Sequence, residues 1–214
     1  MSDALRRVAG DRMRRILRIL TRNIAVGVLL GAGITCLIQS SSATTVMVVG
    51  FVNAGLMSLT QAIGVILGAN IGTTITAWMV SSIGVLKITN YALPAIGIGL
   101  VIGMVSKRHW RHWGMVLLGF GLLFFGLFLM KGALGPLGQS EGARNLIHRL
   151  AGNPLTGVLI GTLMTMVIQS SSATIAIAQL MAFQGILPFQ HALYLILGDN
   201  IGTTITANLA SIGT

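Results

Sequence analysis

The chain repeats itself. Shifted by 130 residues, Gln39 Ser40 Ser41 Ser42 Ala43 Thr44 falls on Gln169 Ser170 Ser171 Ser172 Ala173 Thr174. Without any gap, the same shift lays residues 70–77 on 200–207, both reading NIGTTITA. Across residues 26–84 the register yields roughly 26 identities in 59 positions, far more than unrelated apolar segments share. Self-similarity of this kind dictates two copies of one structural unit.

The solvent of that unit follows from composition. With 54% apolar and 8% charged residues and a mean hydropathy of +0.86, the chain cannot cover a water-soluble globule with polar surface. It belongs in a bilayer, where segments are measured against about 30 Å of hydrocarbon. Each unit reads in one order: a basic or polar amphipathic stretch, a Gly-rich apolar segment, QSSSAT, a second apolar segment, then G-x-N-I-G-T-T. As a helix, residues 27–38 reach only about 18 Å. They are therefore predicted to be one arm of a re-entrant hairpin, with 43–54 returning and Gly55, matched by Gly185, as the bend. Residues 56–83 are long enough to cross once, with residues 68–74 as a weak polar middle that is predicted to break the helix.

Two ordinary spans are expected near residues 91–106 and 113–130. One crossing for the broken helix and one for each span make an odd count, so the second unit enters upside down. The predicted fold is an all-α polytopic membrane protein of two inverted-topology repeats, each with a re-entrant QSSS hairpin and a broken transmembrane helix. Its expected divisions are an amphipathic basic segment over 1–23, repeat unit one over 24–90, two connecting helices over 91–131, an amphipathic segment over 132–155, and repeat unit two over 156–214.

Charge orients the chain. The formal net charge is +10, but its basic residues are not interleaved with aromatics as nucleic-acid binding requires. Arg6, Arg7, Arg12, Arg14, Arg15, Arg18 and Arg22 precede the first apolar stretch, and Lys107, Arg108 and Arg111 lie between two later ones. The positive-inside rule places both clusters, and the amino terminus, on the cytoplasmic side of the cell inner membrane. The Arg-rich start lacks the short apolar run and small-residue cleavage site of a signal peptide. Trp78, Trp110 and Trp113 suit interfacial belts. Cys36 is alone, which excludes a disulfide framework or a Cys-based metal site. His109 and His112 sit in the basic loop, and neither His148 nor His191 has ligand spacing to an acid or a cysteine.

Backbone leaves helical geometry at membrane depth only where protein or a water-filled cavity satisfies it. A Gln and three serines at a hairpin tip, with GxNIGTT beside them, supply an amide, hydroxyls, carbonyls and helix amino termini. Hydroxyl and carbonyl oxygens suit a hard cation such as sodium, while N–H groups and helix amino termini suit an oxyanion. Isolated Ser, Thr and Gly in apolar helices serve close packing, and Gly27 and Gly31, with Gly157 and Gly161, form such rows.

The paired QSSS and GxNIGTT motifs, in this order and spacing, resemble the type II sodium/phosphate cotransporter family and its bacterial relatives from about residue 16 onward. The resemblance implies sodium-coupled symport of inorganic phosphate, with sodium as coupling ion and no other cofactor. It places phosphate at Gln39, Ser40, Ser41, Ser42, Gln169, Ser170, Ser171 and Ser172. It places sodium at Thr44, Asn70, Thr73, Thr74, Thr174, Asn200, Thr203 and Thr204.

The second unit departs from the family pattern at Asp199, where unit one has the expected small residue, Ala69. An acid at that depth is functional by default, so Asp199 joins the sodium set, with a proton carrier or a helix-capping carboxylate as the other readings. The chain also lacks a helix at each end relative to the family pattern, which points to a fragment or to completion by homo-oligomerisation. A sodium- or proton-coupled carrier of another small anion, and a non-transporting membrane subunit or remnant, are the rival readings. An enzyme is not expected, because no His or Lys falls at the depth of either QSSS to act as base.

Overall fold

A computed structural model of the chain describes residues 15, 17, 19–86, 88–106 and 108–212. Most of the basic segment expected over residues 1–23, together with Lys87 and Lys107, lies outside them.

Helix starts are written into the sequence as caps. Asn23, Ser40, Ser140, Asn153 and Ser170 adopt extended backbone, and each side-chain oxygen accepts an N–H two or three residues on, satisfying a donor that the first helical turn leaves unpaired. The resulting elements are α1 (Ile24–Ile38), α2 (Ser41–Asn53), α3 (Leu59–Leu86), a 3-10 turn (Ile88–Tyr91), α4 (Ala92–Val105), α5 (Arg108–Gln139), α6 (Glu141–Gly152), α7 (Pro154–Ile168), α8 (Ser171–Phe183) and α9 (Phe189–Ile212). No strand occurs among the described residues.

The two units match in backbone detail. Gln39 (φ 58, ψ 28) and Gln169 (φ 57, ψ 25) end α1 and α7 in the left-handed region. Ser40 (φ −146, ψ 104) and Ser170 (φ −144, ψ 103) open α2 and α8. After the second arm, Gly55 (φ 66) and Gly185 (φ 67) make the expected bends, in a conformation that favours glycine. The cores correspond as well. Val48, Met57, Ala62 and Val65 form one buried cluster, and their counterparts 130 residues on, Ala178, Leu187, Ala192 and Leu195, form another. A third cluster, including Val80, Phe124, Leu127 and Leu180, ties α5 to both units.

Within each unit the first arm lies along the long helix through glycines. A Cβ added at Gly31 would sit 2.0 Å from Val65 O, and one at Gly161 2.1 Å from Leu195 O, so only glycine permits this backbone approach. The rows expected at Gly27, Gly31, Gly157 and Gly161 are these packing faces.

The predicted helix breaks are absent: α3 and α9 run unbroken through residues 68–74 and 198–204. The glycines there serve approach instead. A Cβ at Gly68 or Gly198 would come 2.0 Å from Val28 O or Val158 O respectively. The threonines keep the ladder closed, since Thr73, Thr74, Thr203 and Thr204 donate to Ala69, Ile71, Asp199 and Ile201 carbonyls of their own helices. The connecting helices differ from expectation too. The first, α4, has 14 residues, about 21 Å at the α-helical rise and short of a span. The second, α5, has 32 residues and passes through Pro136. It absorbs the loop expected at 108–112 and the start of the amphipathic segment expected over 132–155.

Among the described residues, Leu59–Ser81 and Trp110–Gln139 are long and apolar enough to cross a membrane, and α6 with α7 meets the same test as a pair bent by 104°. The arms α1 and α2, of 15 and 13 residues, are each too short to cross alone. Large apolar side chains such as Leu29, Leu37, Leu155 and Val167 stand exposed, the surface of a polytopic membrane protein.

Candidate functional site

The site forms where the units meet. Helix α2 of unit one packs on α9, and α8 of unit two packs on α3. At the centre the buried Ser41 Oγ and Ser171 Oγ lie 3.3 Å apart. Each serine is the first residue of its helix, so two helix amino termini converge there, each carrying the positive end of a helix dipole. The sequence reading expected further amino termini at breaks in α3 and α9; because those helices are continuous, each unit brings only the terminus of its second arm.

The other residues of each tip hold its shape. Ser40 and Ser170 cap α2 and α8 by accepting from Ala43 N and Ala173 N. Gln39 Nε2 donates to Cys36 O at 2.7 Å and Gln169 Nε2 to Met166 O at 2.6 Å, fastening each side chain to the helix it ends. In unit one, Gln39 Oε1 also accepts from Thr76 Oγ1 at 2.8 Å. Thr44 and Thr174 are fully buried behind the tips. They donate to Ser40 O and Ser170 O; Thr44 accepts from Thr35 at 3.0 Å, and Thr174 Oγ1 lies 3.0 Å from Thr165 Oγ1. The sequence reading missed Thr35 and Thr165; their identity across the repeat was the available signal.

Beside the serine contact lies a cavity of about 310 Å³, lined by residues that include Asn70, Thr73, Thr74, Ser171, Gln179, Asp199, Asn200 and Thr203. A smaller cavity of about 60 Å³ is lined by Thr45, Ile66, Asn70, Asn200, Thr203, Thr204 and Ala207. A shift of 130 turns every residue of the small lining into one of the large: Ile175, Ile196, Asn200, Asn70, Thr73, Thr74 and Ala77. The two are pseudo-equivalent, one from each side of the interface. Of the expected site residues, Asn70, Thr73, Thr74, Ser171, Asp199, Asn200, Thr203 and Thr204 line one or both. Gln39, Ser40, Ser41, Ser42, Thr44, Gln169, Ser170, Ser172 and Thr174 line neither.

Asp199 is fully buried. Its Oδ1 accepts from Thr165 Oγ1 at 2.7 Å, while Oδ2 has no partner among the described residues. Gln179, a residue the sequence reading passed over, projects from α8 toward unit one, where its Nε2 donates to Ala77 O and Ser81 Oγ, both at 3.3 Å. Its counterpart in unit one is Val49, and this mismatch within the repeat was the sign that could have singled it out.

His148 and His191, unremarkable in spacing, come together where α6 meets α9, with ring centroids 5.9 Å apart. Neither lines either cavity. Among the described residues no group of three or more His, Cys, Asp or Glu is placed to hold a metal.

Comparison with known proteins follows this geometry. The family model of Na+/Pi-cotransporters matches residues 1–132 and 137–214. The "Putative inorganic phosphate export protein YjbB" of Escherichia coli K12 is 32% identical over 203 residues, which is 95% of this chain and 37% of that protein. The "Uncharacterized protein YqeW" of Bacillus subtilis is 31% identical over 178 residues, 83% of this chain and 57% of that one. The "Sodium-dependent phosphate transport protein 2A" of Ovis aries is 39% identical over 118 residues, 51% of this chain and 18% of that protein. The chain thus spans little more than a third of the length of the phosphate export relatives it matches. No solved structure matches. The repeated motifs, the paired helical units and the match along nearly the whole length agree: the chain is a multi-pass membrane protein that belongs to the Na+/Pi-cotransporter family.

Proposed function

We propose that the chain moves inorganic phosphate across the cytoplasmic membrane together with sodium, binding both between its two units. The observation that carries this reading is the meeting of Ser41 and Ser171 beside a cavity whose largely apolar wall carries the polar side chains of Asn70, Thr73, Thr74, Ser171 and Asn200. Converging helix amino termini and serine hydroxyls suit a small oxyanion. Phosphate contacts fall to Ser41, Ser42, Ser171 and Ser172, while Gln39, Ser40, Gln169 and Ser170 hold the tips in register. Sodium falls to Asn70, Thr73, Thr74, Asp199, Asn200 and Thr203, with Thr44 and Thr174 bracing the tips from behind.

In this reading the units insert with opposite orientation, their short arms enter and leave by one face, and the amino terminus is cytoplasmic. The exposed Trp78, Trp110 and Trp113 fit interfacial anchoring. In this reading the protein is a carrier. The names of the relatives point to export in one case and sodium dependence in another, so the test covers both directions. Purified protein in sealed vesicles should move labelled phosphate inward or outward with an imposed sodium gradient, and lose that movement when potassium or choline replaces sodium. Equal phosphate flux in all three salts would remove sodium from the reading. No flux above protein-free vesicles in any salt would remove transport.

A further inference from the structure

The two pseudo-equivalent cavities differ in what the repeat places at three positions. Where the large cavity has Asp199, Gln179 and Ile175, the corresponding positions of unit one hold Ala69, Val49 and Thr45. The large cavity thus gains a carboxylate and a carboxamide for the loss of one hydroxyl. Two of the buried side-chain atoms left without any partner among the described residues are Asp199 Oδ2 and Gln179 Oε1. Both belong to residues that line this one wall, the two oxygens themselves lying just beneath its surface. Each is an acceptor, and an unpaired buried acceptor calls for a cation or a donor.

From this asymmetry we infer that a single monovalent cation binds in the large cavity, held by Asp199 Oδ2 and Gln179 Oε1 with neighbouring hydroxyls, and that the small cavity binds none. Oxygen-only ligation suits a hard cation. One carboxylate among neutral oxygens balances one positive charge, whereas a divalent ion would leave a net charge in a dry site. The inference deepens the sodium half of the proposed function and rests on it for the identity of the ion.

Gln179 has a competing role as a clamp, because its Nε2 spans the units to Ala77 O and Ser81 Oγ. The test separates the two. The full chain is purified in detergent without phosphate, and its thermal midpoint is followed as sodium chloride replaces choline chloride at constant ionic strength. The parent should gain stability along a one-site curve. Gln179→Val, which installs the residue of unit one, should raise the half-saturating sodium concentration at least tenfold. Ser81→Ala removes a partner of Nε2 and leaves Oε1 in place, so half-saturation should stay within twofold of the parent. If Gln179→Val does not fold, Gln179→Met keeps the volume and gives the same readout.

Parent-like sodium titration in the Gln179 variants would overturn the inference. So would equal loss in Ser81→Ala, which makes Gln179 a clamp, a two-site curve in the parent, or stabilisation by magnesium at concentrations where sodium has no effect. Because phosphate is absent, the outcomes sort cleanly. Sodium-driven phosphate flux without sodium stabilisation sinks only the site. Sodium stabilisation that needs Gln179, without phosphate flux, sinks only the transport reading.

Discussion

Replacing Asp199 with alanine, in medium free of sodium, tests whether the carboxylate serves the fold or a ligand. The side chain is fully buried and only one of its oxygens is paired. Its partner, the Thr165 hydroxyl, lies within range of three acceptors: Asp199 Oδ1 at 2.7 Å, Gly161 O at 3.0 Å and Thr174 Oγ1 at 3.0 Å. In the variant the Thr165 proton turns to Gly161 or Thr174. A bond to a charged group, about 1.5–3 kcal/mol, is then exchanged for a neutral one of about 1 kcal/mol. Against that loss of roughly 0.5–2 kcal/mol stands the removal of an unpaired buried acceptor, which costs about 1–3 kcal/mol and more when charged. The truncated volume opens onto an existing cavity, so no new closed void forms.

The sum runs from a destabilisation of about 1 kcal/mol to a stabilisation of about 2.5 kcal/mol. For a chain of this length, about 2–4 °C of thermal midpoint corresponds to each kcal/mol. Detergent-solubilised Asp199→Ala should therefore melt no more than about 4 °C below the parent in choline chloride, and can melt above it. In sodium chloride the parent should rise relative to the variant, because only the parent gains from binding. A fall of more than about 4 °C in choline chloride would show that the carboxylate supports the helix junction itself and would refute this reasoning.

Three other perturbations read other levels of the structure. Ser171→Ala and Ser41→Ala each remove a hydroxyl from the buried contact between the tips, and should weaken phosphate binding by about 1–3 kcal/mol while the yield of folded protein holds; unchanged binding by equilibrium dialysis would make QSSS a packing device. Gly31→Ala forces a Cβ to 2.0 Å from Val65 O and should cost about 1–3 kcal/mol, seen as a lowered thermal midpoint, whereas Gly33→Ala meets nothing within 4 Å and should not. In a Cys36→Ala background, single cysteines at Arg22 and Asn153, both exposed, should label from opposite membrane faces with an impermeant thiol reagent; labelling from one face would end the inverted arrangement.

How far the sequence could be read depends on what each motif does locally. Bends were legible because they act within a few residues: Gly55 and Gly185 take positive φ; the caps Ser40 and Ser170 were read only as ligand serines. The glycine rows at Gly31 and Gly161 were legible through their spacing alone. GxNIGTT was misread as a break because glycine density signals weakness in an isolated helix. Its cause here is tertiary: Gly68 and Gly198 face the backbone of α1 and α7 at distances no other residue allows. The length of α5 escaped for a similar reason, since Pro136 near its end removes a single backbone donor without halting it. Gln179 escaped because a lone Gln in an apolar arm carries no motif. Only the comparison with Val49, once both cavities were visible, gave it meaning.

That comparison bears on how a duplicated scaffold comes to use unlike substrates. Pseudo-equivalent units give pseudo-equivalent cavities, and a strictly symmetric interface would offer every ligand two sites or one on the axis. The contact between Ser41 and Ser171 joins identical residues of the two units, so a ligand there meets the same groups from both sides, as suits an anion with several equivalent oxygens. The acid is off the axis and present once. On the proposed function, a cation drawn to Asp199 would sit on one side of the anion and not the other, where its charge would lower the cost of bringing phosphate into the interface. On this argument, adding an acid at the matching place, Ala69→Asp, would not double the function. It would set a second buried carboxylate near the same oxyanion and, without a second cation, weaken phosphate binding.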